Sequence, residues 1–266
     1  MSALCKALGI SRSSYYYKPK ELSEEEIKTE KKIIQIFYES HKTYGTRRIK
    51  STLEEDNIYI SRQKISKIMK KHKLVSKYTK PKYKNYSKIK NENKTSNKVA
   101  REFSNRQPLE AVVTDLKYVR VKGKWAYICA ITDLFNREII GYGCSFLKDA
   151  RLVLNSIQTI KYPLDEIKIF HTDRGKEFDN KNIDRLLNKH NIGRSLSRPG
   201  NPYDNAVAES IYKSIEIEFI KGNKFKDLKE LNEKLTKYID WWNTKRKHSS
   251  LNNKTPLEYR LEKVKA

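Results

Sequence analysis

Three carboxylates suggest chemistry before any fold is considered. Asp173 ends the apolar run "IFHTD", Asp115 sits inside the β-rich run "LEAVVTDLKYVRV", and Glu209 follows the stretch "RPGNPYDNAVAES". Asp115 and Asp173 are expected on adjacent strands. Glu209, with 35 residues between it and Asp173, is expected on a helix that crosses the strand ends. Three carboxylates at one point repel one another unless a cation lies between them. Hard oxygen ligands of this kind suit Mg²⁺ or Mn²⁺. Two such ions about 3.5–4 Å apart would hold the attacking and leaving oxygens of an in-line phosphoryl substitution. Each acid alone has a plainer reading: an exposed strand residue, a turn aspartate before Gly175, a surface acid on a helix. Asp133, Glu177, Asp204 and Glu216 compete for the same role. Asp133 in "TDLFNR" reads equally as part of a structural turn, and Asp204 as a helix cap.

The charge balance says what such a site would act on. The 266 residues hold 57 Lys and Arg against 32 Asp and Glu, a formal charge of +25. That excess is the electrostatic footprint of a protein that binds a polyanion such as nucleic acid, although a solvated Lys- and Asn-rich surface has the same balance. Acids for metal and lysines for phosphates then belong to one design. The three cysteines are widely spaced, form no metal-type pair and are odd in number, which reads as reduced thiols in a cytoplasmic protein. No apolar run approaches the length of a membrane span, and no signal-peptide pattern opens the chain.

Elements that would position these residues follow from periodicity. Residues 1–72 read as a helical DNA-binding region. "LCKALGISRSSYYY" suggests two short helices around a turn. Ser23 and Glu26 form a capping box for a helix in which Ile27, Ile34 and Phe37 share a face. Thr46 is expected to cap a second helix carrying Arg47, Arg48, Ile49 and Leu53. Ser61 is expected to cap a third, with Ile65, Ile68 and Met69 inward and Arg62, Lys64, Lys67, Lys70 and Lys71 largely outward. A basic last helix after a turn fits a helix-turn-helix entering a DNA groove; a bundle with a solvated basic face has the same pattern.

Residues 73–106 hold 11 Lys and Arg against Glu92 and Glu102 without periodicity, and read as a basic linker. Tyr78, Tyr83 and Tyr86 could stack on bases or pack on a neighbouring domain. Residues 107–222 read as three antiparallel strands, a helix, a fourth strand, a helix, a short strand and the Glu209 helix. This βββαβαβα order gives an α/β fold with a mixed sheet flanked by helices. Residues 223–266 read as a helical extension, with Thr255, Pro256 and Glu258 opening the last helix.

Five blocks carry a resemblance: "VVTDLKYV", "AITDLFNREIIGY", "IFHTDRGKEF", "SRPGNPYDNAVAESIYKSIEIEF" and "YIDWWNTKRKHSSLNNKTPLEY". In this order they resemble the integrase-like transposases of bacterial insertion sequences, of the kind encoded in two overlapping reading frames, and this chain is similar to the second-frame product. "TYGTRRI" resembles the helix-turn-helix segment before that core.

The resemblance implies a ribonuclease-H-like core with Asp115, Asp173 and Glu209 as the acid triad on two divalent ions. It also implies a water-driven nick at the element's end, followed by attack of the freed 3′-hydroxyl on target DNA. A homo-oligomeric synaptic complex and a possible upstream-frame partner are implied as well. Expected DNA contacts are Arg47, Arg48, Arg62, Lys64, Lys67, Lys71, Lys213 and Arg246, with His171, Asn205 and His248 in support. Three positions depart from the pattern: Val112 stands in place of tryptophan, Lys117 in place of threonine, and Glu216 in place of lysine. Lys213, four residues after Glu209 on nearly the same face, is a candidate substitute for the last.

Overall fold

The computed structural model describes residues 2–9, 11–16, 23–79, 106–173, 175–197 and 206–265. Two short helices, α1 (Ser2–Ala7) and α2 (Arg12–Tyr16), precede a three-helix unit of α3 (Glu24–Glu39), α4 (Thr46–Glu55) and α5 (Arg62–Lys71). The capping box at Ser23 is present in both directions, and Ser61 caps α5 through the Lys64 N–H. Two expectations change here. Gly45, in extended conformation, occupies the cap of α4 and Thr46 becomes its first helical residue. Ile27 stays 41% exposed because the packed apolar stripe of α3 begins nearly two turns later, with Ile33, Ile36 and Phe37.

The core sheet joins β1 (Ala111–Val121), β2 (Lys124–Asp133), β3 (Ile139–Ser145), β4 (Ile169–Thr172) and β5 (Gly193–Leu196) in the order β3-β2-β1-β4-β5. The first three strands pair antiparallel, whereas β4 pairs parallel with β1 and β5 with β4. Strand alternation sends successive residues of β1 to opposite faces. Val112 joins Cys129 and Ile131 under α6 (Ala150–Gln158) and α7 (Lys181–Lys189). Ala111 and Val113 join the core that also contains α8 (Ala206–Ile215) and α9 (Leu228–Thr244). Gly143 on β3 lets α6 approach, since a Cβ there would meet the Ser156 hydroxyl at 2.8 Å.

The helical unit and the C-terminal segment are one packed assembly with the core. The Tyr44 hydroxyl donates to the Lys245 carbonyl at 3.2 Å and accepts from the Lys247 N–H at 2.8 Å. Within the stretch expected as linker, Leu74 and Ser76 are buried, and Tyr78 donates to Glu218; residues 80–105, with Tyr83 and Tyr86, lie outside the described residues. Trp241 and Trp242 are both buried, and the Trp242 indole donates to the Arg137 carbonyl at 2.9 Å. The last helix, α10 (Pro256–Lys265), starts with reciprocal bonds between Thr255 and Glu258, as its sequence predicts.

Candidate active site

Parallel pairing of β1 with β4 aligns the two aspartates. Val113 registers with His171, so Asp115 and Asp173, each two residues further on, lie at the same level and on the same face. That face is the one covered by α8, which carries Glu209 in its first turn. Tyr212, three residues later on α8, fixes the helix to the strands. Its buried hydroxyl accepts from the Ala130 N–H at 2.8 Å and donates to the Asp115 carbonyl. Tyr212→Phe removes this latch while the β1–β2 ladder keeps Asp115 and Ala130 paired, and is expected to cost about 0.5–1.5 kcal/mol. Thermal melting measures that loss, and cleavage should fall further than stability because the anchor of α8 lies at Asp115 itself.

The electrostatics mark the spot. Asp115 is half-buried, and the loss of solvent, with the charges of Asp173, Glu177 and Glu209, raises its pKa from 3.8 to about 6, against a lowering hydrogen bond from the Leu116 N–H. Glu177 is buried and pairs with Lys148 at 3.0 Å. That hydrogen bond, with the charges of Glu177 and Asp173, raises the Lys148 ammonium above its ordinary value. The Glu177 carboxylate folds back over Gly175, where a Cβ would meet it at 2.5 Å, so a side chain there would push the carboxylate aside. Asp173 accepts from the Gly175 N–H at 2.9 Å, fixing the turn. Among the described residues no three His, Cys, Asp or Glu side chains are drawn together closely enough to hold a metal ion. The donors nonetheless fit one: they are all carboxylate oxygens, they act on one another through space, and Asp115 bears an uncompensated cost of ionisation.

Two departures from the expected pattern meet in space. The Lys117 ammonium, on the same face of β1 as Asp115, pairs with Glu216 at 2.8 Å. Glu216 begins a π-turn, Glu216–Ile220, that continues α8, an irregularity often found at functional sites. A cation therefore stands between strand and helix, donated by the strand. Reversing one charge (Lys117→Glu or Glu216→Lys) is expected to lower activity about tenfold, and the double reversal to restore most of it. Single-turnover cleavage rates of the four proteins in a double-mutant cycle check the coupling.

Other expected residues fall in different places. His171 is buried, with Nδ1 at 2.9 Å from the Ser195 hydroxyl. Lys67 and Lys213 are exposed. Lys64 and Lys71 are exposed as well, but pair with Glu26 at 2.8 Å and Glu30 at 2.7 Å. Arg47, Arg48 and Arg62 line a cleft beside α8. Arg246 is buried on Glu218, and His248 beside it is held neutral by burial and by the Arg246 charge. Asn205 and Asp204 lie outside the described residues. Asp133 is structural: it is buried, accepts from the Leu109 and Phe135 N–H groups, and pairs with Arg260 at 2.7 Å. Tyr212 and Lys148 were not singled out from sequence. Tyr212 falls on the apolar stripe of its helix and looks like any core aromatic, and Lys148 is one lysine among many.

Comparison with known proteins agrees with this geometry. Residues 105–202 and 190–256 match integrase core domain families, and residues 23–82 match an HTH-like domain. The chain is 30% identical over 264 residues to InsK of insertion sequence element IS150 of Escherichia coli, covering 98% of this chain and 93% of that one. It belongs to the insertion-sequence transposases with an integrase-like core. The transposase for insertion sequence element IS904 of Lactococcus lactis is 31% identical over 244 residues, covering 90% and 96% of the two chains. A chain of the simian T-cell lymphotropic virus intasome shares the fold at a TM-score of 0.51 and 12% identity, covering 86% of this transposase and 74% of that chain. The transposase is thus a polynucleotidyl-transferase-type enzyme acting on DNA. Among the described residues no helix is long and apolar enough to cross a membrane.

Proposed function

We propose that Asp115, Asp173 and Glu209 form the catalytic acid set of this transposase and hold two Mg²⁺ or Mn²⁺ ions. The observation that supports this is the β1–β4 register, which pairs Val113 with His171 two residues before each aspartate, beneath the helix that bears Glu209. The ions, when bound, would stabilise the attacking and leaving oxygens of an in-line displacement. Asp115 comes from within β1 and Asp173 directly follows β4, so the sheet would place their carboxylates before DNA arrives. Glu209 is exposed on a helix anchored by Tyr212, and closes the set from the side on which DNA enters. One site serves both steps, since nicking at an element end and joining of the freed 3′-hydroxyl are the same substitution with different nucleophiles.

The exposed basic residues of α4 and α5, with Lys213, hold duplex DNA around this site. The enzyme works as a homo-oligomer that pairs two element ends, aided by an upstream-frame protein. Incubating the protein with a labelled element end, target duplex and Mg²⁺ tests the catalytic reading. Joined products are expected, and are expected to disappear with Asp173→Asn, a loss of at least roughly a thousandfold for a group that acts only in the transition state. Joining that survives Asp173→Asn would overturn the assignment.

A further inference from the structure

A cleft of about 960 Å³ opens between the three-helix unit and the outer flank of α8. We propose that it is a binding site for the sugar–phosphate backbone of duplex DNA, placed so that one strand runs from the cleft, across α8, into the acid site. The proposal rests on the transposase reading and adds to it where the DNA lies.

The charge of the walls points to a polyanion. Arg47, Arg48, Arg62, Arg137 and Arg246 contribute to them, and no carboxylate does among the described residues. Arg246 is neutralised by Glu218 behind the wall. Arg47, Arg48 and Arg62 have no carboxylate partner at ion-pair distance among the described residues. The Arg48 guanidinium instead lies over the Tyr44 ring at 5.6 Å. Burial and the nearby charge of Arg246 make Arg48 an unusually strained cation, with its pKa lowered. An anion in the cleft would relieve that strain.

The backbone adds to the same field. α4 is a ten-residue helix whose cap, Gly45, supplies no side-chain hydrogen bond, and Gly45, Thr46 and Arg47 all border the cleft. Its first N–H groups and the positive end of its dipole therefore face the same space as the guanidinium groups. Arginine forks and helix N-termini are both recurrent phosphate-binding devices, and the DNA on which a transposase acts supplies the phosphates.

Position relative to the acids completes the argument. Val207, Ser210, Ile211 and Ser214 recur at the spacing of a single helical stripe and border the cleft. Glu209, Lys213 and Glu216 lie on the opposite side of the helix, at about 100° per residue. One helix, about 10 Å across, thus separates cleft from acids, a distance that roughly three nucleotides of a duplex strand span at about 3.4 Å each. A single DNA molecule can touch both. Ser210 and Ser214 give the intervening wall small polar side chains, which let a backbone pass close to α8.

The test is DNA binding without catalysis. Fluorescence anisotropy with a labelled duplex of roughly 20 base pairs, two helical turns, is measured in EDTA over a range of salt concentrations. Arg48→Gln with Arg62→Gln is expected to weaken binding about tenfold near 0.1 M salt and to reduce the salt slope by about two. Ser214→Trp, which fills the cleft without changing charge, is expected to weaken binding at least as much. Thermal melting identifies variants that fail to fold, and Arg48→Lys then tests charge with less disturbance. Normal affinity and slope in both the arginine and tryptophan variants, with loss only in Lys67→Gln, would overturn the proposal. So would displacement of the duplex by polyglutamate as readily as by unlabelled DNA. Because no metal is present, these outcomes are independent of the Asp173→Asn joining assay, and either reading can fail alone.

Discussion

Glu218→Gln is expected to destabilise the transposase by about 3–5 kcal/mol, the usual cost of stripping one partner from a buried ion pair. Glu218 is 1% exposed, and its carboxylate receives the Arg246 guanidinium at 2.7 Å, the Tyr238 hydroxyl at 2.9 Å and the Tyr78 hydroxyl at 2.5 Å. Lys77 donates to its carbonyl at 2.9 Å. The substitution leaves Arg246 charged, buried and beside a neutral His248. Burial alone would raise the Glu218 pKa; Arg246 and the hydrogen bonds outweigh it and hold the carboxyl below 4.5. A depressed acid stabilises the fold above its unfolded pKa, so this contribution is present at neutral pH. It is lost as pH falls from 4.5 toward the folded value. Chemical denaturation of wild type and variant at neutral pH measures the difference. Glu218→Gln with Arg246→Met is expected to recover much of it, because no unpaired charge then remains. Equal stability of wild type and Glu218→Gln would show that the network does not hold the modules together. The network joins the end of the three-helix unit, the π-turn after α8 and the turn after α9, so its loss should also separate DNA binding from catalysis.

Asp115→Asn is expected to abolish cleavage and yet stabilise the metal-free protein. The sign follows from the raised pKa of about 6. Folding favours the protonated form, so the stabilising contribution of Asp115 is complete below 3.8 and is lost as pH rises through about 6. Above that range the ionised carboxylate costs on the order of 3 kcal/mol. Asparagine removes the cost, and the melting temperature at pH near 8 should rise by several degrees. Mg²⁺ should raise the melting temperature of the wild type at that pH, less near pH 5, and little in Asp115→Asn, because it supplies the missing counter-charge only to an ionised site. Differential scanning calorimetry at the two pH values, with and without Mg²⁺, reads all three effects. A wild-type melting temperature indifferent to Mg²⁺ would contradict the metal assignment.

Much of this molecule was legible in one dimension. Asp173 was readable because a strand buried on both faces is a continuous apolar run that must stop at the sheet edge. Ser23, Ser61 and Thr255 announced helix starts because caps are local hydrogen bonds, made within three residues. The three-strand meander followed from short connections. What did not follow were contacts between residues far apart. Lys117 and Glu216 each read as a departure from the expected pattern, and Glu216 as a doubt about function, whereas in space they form one ion pair. Arg246 read as a DNA contact because a basic turn is usually solvated; a buried acid 28 residues away takes its charge. Ile27 fitted the periodicity of α3 and is exposed, since periodicity gives the face of a helix but not how far along it the packing extends.

The sequence by itself indicated most of the elements, most of their starts, the candidate metal ligands and a polyanionic partner, because these rest on local hydrogen bonding, on alternation and on summed charge. Only the tertiary structure decided which charges are spent within the protein and which are left without an acidic partner. Tyr212 latches α8 at Asp115, Lys117 and Glu216 neutralise each other, Arg246 belongs to Glu218, and Arg47, Arg48 and Arg62 remain to line the cleft. The physical reason is that a charge is used up within about 4 Å, and side chains come that close through folding, whatever their separation along the chain.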